Sequence, residues 1–266
     1  MSRKPMTVPG LQAMKAAGQR IVALTCYDYS FAARIEAAGI DVVLVGDSLG
    51  MVVQGHASTL PVDVEQMVYH SAAVARGLGN TLLIADLPFM SYRDVPHALD
   101  AAAALMARGG AAMVKLEGGG WTAEVVQALS ERDVPVCGHL GLTPQSVHKL
   151  GGYRTQGKQH DAAEALQHEA QALAAAGADL LVLEAVPAAL AARITEALPI
   201  PVVGIGAGPH CDGQVLVLYD MLGITPGRRP KFSKDFLAGH GDIGAALAAY
   251  AEAVRAGEFP GDEHST

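Results

Sequence analysis

Four acidic residues each end a short apolar run, and their type and position indicate chemistry. The runs are VVLVGD ending at Asp47, LLIAD at Asp86, MVKLE at Glu117 and LLVLE at Glu184. Each run has the composition of a strand buried on both faces, where a carboxylate without a partner carries a large desolvation cost. Four such acids from four strands therefore predict one shared polar site that binds a metal and moves protons.

Asp47 and Asp86 are the candidate metal ligands. Two carboxylates on neighbouring strands, with no local group of cysteine and histidine, suit a hard cation that keeps water ligands, and Mg²⁺ fits best. Zn²⁺ would prefer nitrogen or sulfur ligands. For either acid alone, the alternative is a helix cap or an ion pair with lysine or arginine. The set of four acids favours the metal.

The other polar residues at the strand ends have candidate roles in binding and proton transfer. Lys115 would anchor a substrate carboxylate or form a Schiff base, and the structural alternative is an ion pair with Glu117. Ser48 offers a hydroxyl and a backbone amide to a bound anion. Glu184, desolvated at the end of its run, is suited to be a general base. His139 taken alone is more typical of a structural histidine.

Alternating strands and helices must position these residues. The predicted strands cover 21–27, 41–46, 81–85, 112–116, 134–138, 179–183, 201–205 and 215–219, and alanine-rich segments with helical spacing cover 29–38, 63–77, 94–108, 121–132, 161–176 and 188–197. This order predicts an α/β fold, a (β/α)8 TIM barrel in which the helix between the last two strands is short or missing. A doubly wound sheet is the rival fold, but the first strand lacks the G-x-G-x-x-G turn of a dinucleotide domain.

We expect one domain over 1–266, with an N-terminal extension (about 1–20) and a helical tail (about 233–266) broken by Gly239 and Gly241. In a barrel the active site lies at the carboxyl ends of the strands, where the four acids fall. Alternation along the strands predicts that Asp47 shares a face with Val43 and Val45, and that Asp86 shares one with Leu82 and Ile84. Lys115 shares a face with Glu117 in the same way, and if these faces point inward the side chains meet at one cavity mouth.

Two further segments have open interpretations. The connection 142–160 is polar, contains glycine and is long for this fold, so it is a candidate lid. The GIGAG run at 204–208 either cradles a phosphate or provides glycines for close packing and a tight turn.

Composition excludes several classes of partner. The 266 residues carry a formal net charge of -8 and include no basic tract, which argues against nucleic acid and anionic membrane. Half the residues are apolar, but no stretch has the length of a membrane span and the N-terminus has no signal-peptide pattern. The three cysteines are widely spaced, and we expect reduced thiols in a cytoplasmic protein.

Long motifs in this sequence resemble one known family. The segments are VGDSLGMVVQGHASTLPV (45–62), ADLPFMSY (85–92), MVKLEGG (113–119), GHLGLTPQSV (138–147), LVLEAVP (181–187), GIGAG (204–208) and DGQVLVLYDMLG (212–223). In this order they closely resemble the 3-methyl-2-oxobutanoate hydroxymethyltransferases, also called ketopantoate hydroxymethyltransferases. The resemblance covers essentially the whole chain.

The resemblance implies a function and roles for the same residues. The family transfers a one-carbon unit from methylenetetrahydrofolate to 3-methyl-2-oxobutanoate through a Mg²⁺-stabilised enolate, which gives 2-dehydropantoate for pantothenate synthesis. It has a (β/α)8 barrel and forms a large homo-oligomer, a decamer. Asp47 and Asp86 match the metal ligands and also lie against the substrate, and Glu117 matches a further or water-mediated ligand. The residues that match those holding the keto acid are Ser48, Lys115 and His139, and Glu184 matches the general base.

Three alternatives stay open at this point. One is another Mg²⁺-dependent carbon–carbon lyase or mutase on the same barrel, which would act on a 2-oxo acid without folate. The second is a Schiff-base aldolase built on Lys115. The third is a barrel that binds a small molecule without catalysis, although binding alone would not require a desolvated Glu184.

Overall fold

A computed structural model describes residues 4–227 and 229–265 of the chain. In this part of the chain, eight parallel strands pair in sequence order and the first pairs with the eighth, so the sheet is a closed barrel. The strands are β1 (Ile21–Thr25), β2 (Val42–Val45), β3 (Leu82–Asp86), β4 (Met113–Glu117), β5 (Val136–Gly141), β6 (Leu180–Glu184), β7 (Val202–Ile205) and β8 (Gly213–Leu216). The predicted (β/α)8 TIM barrel is confirmed.

The helices lie outside the barrel or at its ends. They are α1 (Val8–Ala16), α2 (Tyr29–Ala37), α3 (Leu49–Val52), α4 (Val64–Ala75), α5 (Val95–Ala107), α6 (Thr122–Ser130), α7 (Val147–Leu150), α8 (His160–Ala175), α9 (Ala188–Ala197), α10 (Leu218–Met221) and α11 (Ile243–Ala256). Short 3-10 turns cover Pro144–Ser146 and Asp262–His264. Among the described residues, no helix separates β7 from β8, as the short connection predicted.

Element boundaries differ most from the sequence prediction at three places. Strand β5 ends at Gly141, three residues after the predicted end at 138. The last strand covers Gly213–Leu216 instead of 215–219, because the apolar run continues into α10, where Leu218 and Met221 are buried. An apolar run by itself does not separate a strand from the start of a buried helix. The helix of the tail begins only at Ile243, after both glycines, where the Asp242 side chain accepts a hydrogen bond from the Ala245 amide.

The barrel separates two apolar cores. The inner core contains alternate strand residues such as Ile84, Met113 and Val182, and the α1 residue Leu11 packs into it. The outer core lies between the strands and the helix layer. The tail helix α11 joins that layer, and the Tyr250 hydroxyl donates to Ala23 O on β1 (2.8 Å) and approaches Gln214 O on β8 (3.2 Å). The tail helix thus ties the first strand to the last on the outside of the barrel.

Glycine is required where the backbone of the barrel mouth is crowded. At Gly141, which has φ 92°, an added Cβ would lie 2.2 Å from Glu184 O. In the GIGAG run, a Cβ at Gly208 would lie 2.4 Å from the Ala188 Cβ and one at Gly204 would lie 2.9 Å from the Cys211 Sγ. Close packing accounts for these glycines, in agreement with the second interpretation of the run.

The helices were also compared with the length of a membrane span. Within residues 4–227 and 229–265, none is both long and apolar enough to cross a bilayer.

Candidate active site

The strand register brings the predicted site residues to one end of the barrel. Asp86 at the end of β3 pairs with Lys115 on β4, and Glu117 at the end of β4 pairs with His139 on β5. On the next pair, Gly141 of β5 lies opposite Glu184 at the end of β6. Neighbouring parallel strands point matched residues to the same side of a sheet, so these side chains converge inside the mouth.

Asp47 reaches the same place by a different route from the one predicted. Val43 and Val45 belong to the outer core, so the expectation that they share a face with Asp47 was wrong. The strand β2 ends at Val45, and Asp47 lies in the turn that leads into α3, where its amide donates to Asp86 Oδ2 (3.1 Å). A Cβ on Gly46 would lie 2.7 Å from the Ser48 Oγ, so glycine at position 46 leaves the space that the Ser48 side chain occupies.

Lys115 is the central cation of the site. Its side chain is almost fully buried, and the Nζ atom lies 2.8 Å from Asp86 Oδ1 and 3.3 Å from His139 Nδ1. Burial by itself would lower the pKa of Lys115, but the carboxylates of Asp86, Glu117 and Asp47 raise it above its usual range. The ammonium therefore stays charged. The ion pair considered from the sequence was with Glu117, whereas the structure pairs Lys115 with Asp86.

His139 connects two of the acids. Its Nδ1 lies 3.4 Å from Glu117 Oε1, and its Nε2 lies 3.3 Å from Glu184 Oε2 in an ion-pair contact that lacks hydrogen-bond geometry. Burial and the Lys115 charge would lower the pKa of His139, yet the contacts with Glu117 and Glu184 raise it to about 9. The imidazole is thus held as a cation at neutral pH between two carboxylates.

Burial raises the pKa of both candidate metal ligands, Asp47 and Asp86. Burial, together with the charges of Asp86 and Glu117, raises the pKa of Asp47 well above its usual range. The pKa of Asp86 is raised by burial, despite the opposing effect of Lys115. Burial would also raise the pKa of Glu117, but His139, Lys115 and a backbone amide lower it. A carboxylate site with this much unbalanced charge has a high demand for a further cation.

A cavity of about 560 Å³ opens in front of the cluster. Its wall includes all seven predicted site residues, which are Asp47, Ser48, Asp86, Lys115, Glu117, His139 and Glu184. Tyr153 and Thr155 of the 142–160 connection also line it. The Ser48 Oγ lies 2.9 Å from the Tyr27 hydroxyl, while Asp28 caps α2. The connection lies over the mouth, and its movement as a lid stays a prediction.

Two residues of the site were missed by the sequence analysis. Gln145 and Tyr92 are buried; Gln145 donates to the Asp47 carboxylate, and the Tyr92 hydroxyl donates to the Gln145 amide oxygen. Gln145 lies in the 142–160 connection, and Tyr92 ends the ADLPFMSY segment. The signal available for Gln145 was the long GHLGLTPQSV motif, and nothing marked Tyr92 beyond its place in the ADLPFMSY segment.

Cys137, two residues before His139, is not a candidate nucleophile. All three cysteines are buried free thiols, and burial raises the pKa of Cys137 to about 12. The protonated thiol is a weak nucleophile, so the chemistry rests on the acids, Lys115 and His139.

The donor set was tested for its fit to Mg²⁺. Asp86 Oδ1 is buried and lies 2.8 Å from the Lys115 ammonium, and the one hydrogen bond that the described residues give the Asp47 carboxylate ends on its Oδ2. No three acidic, histidine or cysteine side chains among the described residues form a metal-binding group, so the site offers the two carboxylates of Asp47 and Asp86. Mg²⁺ commonly takes one or two carboxylates and completes its shell with substrate and water oxygens, so the residues fit.

The electrostatics of the two aspartates also favour a bound cation. Burial raises the pKa of Asp47 and of Asp86, and the charge of Asp86 adds to the effect on Asp47. A divalent cation between these carboxylates would stabilise their ionised forms.

The sequence matches one protein family over almost the whole chain. The family profile described as ketopantoate hydroxymethyltransferase matches residues 5–262. A 3-methyl-2-oxobutanoate hydroxymethyltransferase of Alkalilimnicola ehrlichii is 60% identical over 99% of this chain and 95% of its own. One of Marinobacter nauticus is 59% identical over 98% of each chain.

Solved structures share the fold at much lower identity. A phosphonopyruvate hydrolase crystallised with oxalate and Mg²⁺ has a TM-score of 0.60, covers 80% of each chain and is 14% identical. At this identity the similarity concerns the barrel alone. The lyase and mutase alternative therefore gains no support beyond the fold.

Proposed function

The chain belongs to the ketopantoate hydroxymethyltransferase family, and we propose that the acidic cluster at its barrel mouth is the site of that family's reaction. The protein is thus an enzyme, a transferase that adds a hydroxymethyl group to 3-methyl-2-oxobutanoate and yields 2-dehydropantoate in pantothenate biosynthesis. The observation that carries the site assignment is the convergence of two metal-type carboxylates, a buried lysine and a partly exposed glutamate around one cavity.

Mg²⁺ is the proposed metal, held by Asp47 and Asp86, with Glu117 in contact through water. Glu117 is already engaged by His139 and by the Gln145 amide, which supports an indirect role. When bound, the ion would act as a Lewis acid that polarises the carbonyl of the 2-oxo acid and acidifies its C3.

Substrate binding is assigned to side chains that ring the metal ligands. Lys115 stays charged and offsets the charge of the substrate carboxylate, while Ser48 offers its hydroxyl at the other side of Asp47. His139 orients Glu184 and Glu117 through its two ring nitrogens. The cavity of about 560 Å³ lies within the range of ligand sites and leaves space for a second substrate beside the keto acid.

Glu184 is the proposed general base. Its side chain is 15% exposed, whereas those of Asp86, Lys115, Glu117 and His139 are 3–4% exposed, so it is the more accessible member of the cluster. Glu184 would take the C3 proton of the keto acid. One of the two carbon–nitrogen bonds of the methylene carbon of methylenetetrahydrofolate would break, and C3 would bond to the iminium carbon so formed. Water would then replace the second nitrogen on that carbon, its hydroxyl going to the carbon and its proton to the nitrogen, which releases tetrahydrofolate and the hydroxymethylated product.

Product formation tests the proposal directly. The purified protein is incubated with 3-methyl-2-oxobutanoate, methylenetetrahydrofolate and Mg²⁺, and 2-dehydropantoate is followed by NMR. We expect product only when all three are present, and no covalent adduct after borohydride treatment. Product without metal would refute the Mg²⁺ assignment, and cleavage of the keto acid without folate would favour a lyase. A borohydride-trapped adduct would favour a Schiff base on Lys115.

A large homo-oligomer in the cytoplasm completes the proposal. Exposed aromatic side chains such as Tyr69 (73%), Trp121 (57%) and Tyr29 (55%) support an assembly in which some of them become buried. Light scattering after size-exclusion chromatography measures the mass, and a monomer at micromolar concentration would contradict this part.

A further inference from the structure

We propose that Gln145 is a positioning residue that sets which oxygen of Asp47 faces the metal, and that Tyr92 fixes the orientation of the Gln145 amide. The inference rests on the proposed function, because it concerns the same Mg²⁺ site. Neither residue is among the ligands or the general base assigned above.

Gln145 follows strand β5 and forms hydrogen bonds with residues at the ends of three other strands, β2, β3 and β4. It follows β5 in the Pro144–Ser146 turn, and its backbone amide donates to Glu117 Oε2 at the end of β4 (2.9 Å). Its side-chain Nε2 donates to Asp47 Oδ2 after β2 (2.8 Å) and to Leu87 O after β3 (3.0 Å). One residue that is 6% exposed therefore contacts two of the three predicted metal-site acids.

The orientation of the Gln145 amide is set by its partners. Asp47 Oδ2 and Leu87 O are acceptors, so both require the amide nitrogen, which has two hydrogens to donate. The amide oxygen faces the Tyr92 hydroxyl at 2.6 Å, and this hydroxyl is a donor. A rotated amide would place its oxygen against two acceptors and its nitrogen against a donor. The network thus has one satisfactory arrangement.

This arrangement selects the oxygen of Asp47 that is open to the metal. The hydrogen bond that the described residues give the Asp47 carboxylate ends on Oδ2. On Asp86 both oxygens have partners, because Oδ2 accepts from the Asp47 amide and Oδ1 lies 2.8 Å from the Lys115 ammonium. Asp47 therefore uses Oδ2 inside the protein and presents Oδ1 as a single-oxygen ligand for a hard cation.

Tyr92 extends the network to the surface. Its hydroxyl also lies 3.2 Å from Glu117 O, and its ring stacks on Trp121 at 6.0 Å with an interplanar angle of 11°. Burial raises the pKa of Tyr92 above its usual range, so the hydroxyl keeps its proton for Gln145. The start of the 142–160 connection is consequently anchored to the candidate metal site.

Metal binding without substrate tests the inference. Mn²⁺ is titrated into the metal-free protein and the free ion is measured by EPR, with circular dichroism and a thermal melt to confirm folding. For Gln145→Met, which keeps the length of the side chain and removes its hydrogen bonds, we expect an affinity about 10- to 100-fold weaker. For Tyr92→Phe, which removes one neutral hydrogen-bonding group, we expect about a 2- to 10-fold loss.

Gln214→Met is the matched control. Gln214 is also buried (4% exposed), and its Nε2 donates to a backbone carbonyl, Gly208 O (3.0 Å), away from the acids. We expect this variant to lose thermal stability and to keep Mn²⁺ affinity within about twofold, because its lost bond is structural. In Gln145→Met, added Mg²⁺ should also restore most of kcat, since the role is to orient metal ligands.

Each outcome decides the question. A folded Gln145→Met protein that binds Mn²⁺ like the wild type overturns the inference and leaves the proposed function intact. If Gln145→Met does not fold, a folded Tyr92→Phe protein with unchanged affinity overturns it instead. If the wild type binds no Mn²⁺, the metal assignment in the proposed function fails and the role of Gln145 fails with it.

Discussion

Replacement of Glu184 by glutamine should stop proton removal from the substrate and leave the metal site intact. Glutamine has the shape of glutamate but does not accept a proton at neutral pH. The contact of Glu184 within the cluster is with His139 Nε2 (3.3 Å), while Asp47 and Asp86 are held by other groups. The variant therefore separates the base from the metal.

The magnitude follows from the surroundings of Glu184. A positioned general base contributes about 10²- to 10⁴-fold, or about 3–5 kcal/mol of barrier at 1.4 kcal/mol per tenfold. The other carboxylates are poor substitutes, because Asp47, Asp86 and Glu117 are 3%, 3% and 5% exposed and are bound to Gln145, Lys115 and His139. We therefore expect a loss of about 10³-fold or more.

The assay is exchange of the C3 proton of 3-methyl-2-oxobutanoate in D₂O, followed by proton NMR with Mg²⁺ and without folate. Glu164→Gln is the control, because Glu164 is half exposed on α8 and pairs with Arg193 (3.4 Å) on the surface. Mn²⁺ affinity, measured in parallel, should be unchanged in both variants. Exchange by Glu184→Gln within tenfold of the wild type would refute the assignment of Glu184 as the base.

Three other perturbations have defined outcomes. Lys115→Met leaves the buried Asp86 without its cation, so we expect about 3–5 kcal/mol lower stability in urea and a raised KM for the keto acid. Lys15→Met is the control, because it breaks a partly buried ion pair with Asp212 (2.7 Å) outside the site and should lower stability without changing KM. An equal rise in KM in both variants would contradict the role of Lys115 in substrate binding. Glu36→Gln should cost about 1–2 kcal/mol at neutral pH, allowing for solvent screening, because hydrogen bonds from the 79–81 turn lower the pKa of Glu36 to about 2 despite its partial burial. Because the pKa of Glu36 is lower in the folded state, its ionised carboxylate stabilises the fold at pH values above the unfolded-state pKa of 4.5. The difference in free energy of unfolding between wild type and Glu36→Gln, measured in urea, should therefore shrink as pH falls from 4.5 towards 2. A difference that stays constant over this range would refute the link between the Glu36 pKa and stability. Dialysis against EDTA should abolish C3 proton exchange and added Mg²⁺ should restore it, whereas exchange that survives chelation would contradict the metal assignment.

The sequence was sufficient to predict the barrel because its signals are local. Strand-like runs, alanine-rich helices and glycine stops repeat, and six of the eight strands begin and end within two residues of their predicted limits. The errors occur where one signal has two meanings. The run around 215–219 is apolar in both β8 and α10, so hydrophobicity did not locate the boundary between them.

The acids of the candidate site were predictable because each one ends an apolar run of the sequence. Period-two alternation correctly placed Asp86, Lys115 and Glu117 in the barrel interior, since all three lie within regular strands. It failed for Asp47 because β2 ends at Val45 and the chain turns before the acid. A face can be assigned from the sequence only as far as the strand itself extends.

Gln145 shows why the remaining part of the site was not visible in the sequence. A glutamine in a polar connection has no unusual composition, and its partner Asp47 lies 98 residues earlier in the chain. Its importance comes from the closed barrel, which brings the ends of β2, β3 and β4 within reach of one side chain that follows β5. The acids report their role through the cost of burying charge, which a sequence pattern reveals. A neutral glutamine in a polar segment gives no such signal, because the sequence does not show that it is buried. Its role becomes apparent only when its four hydrogen bonds are seen together.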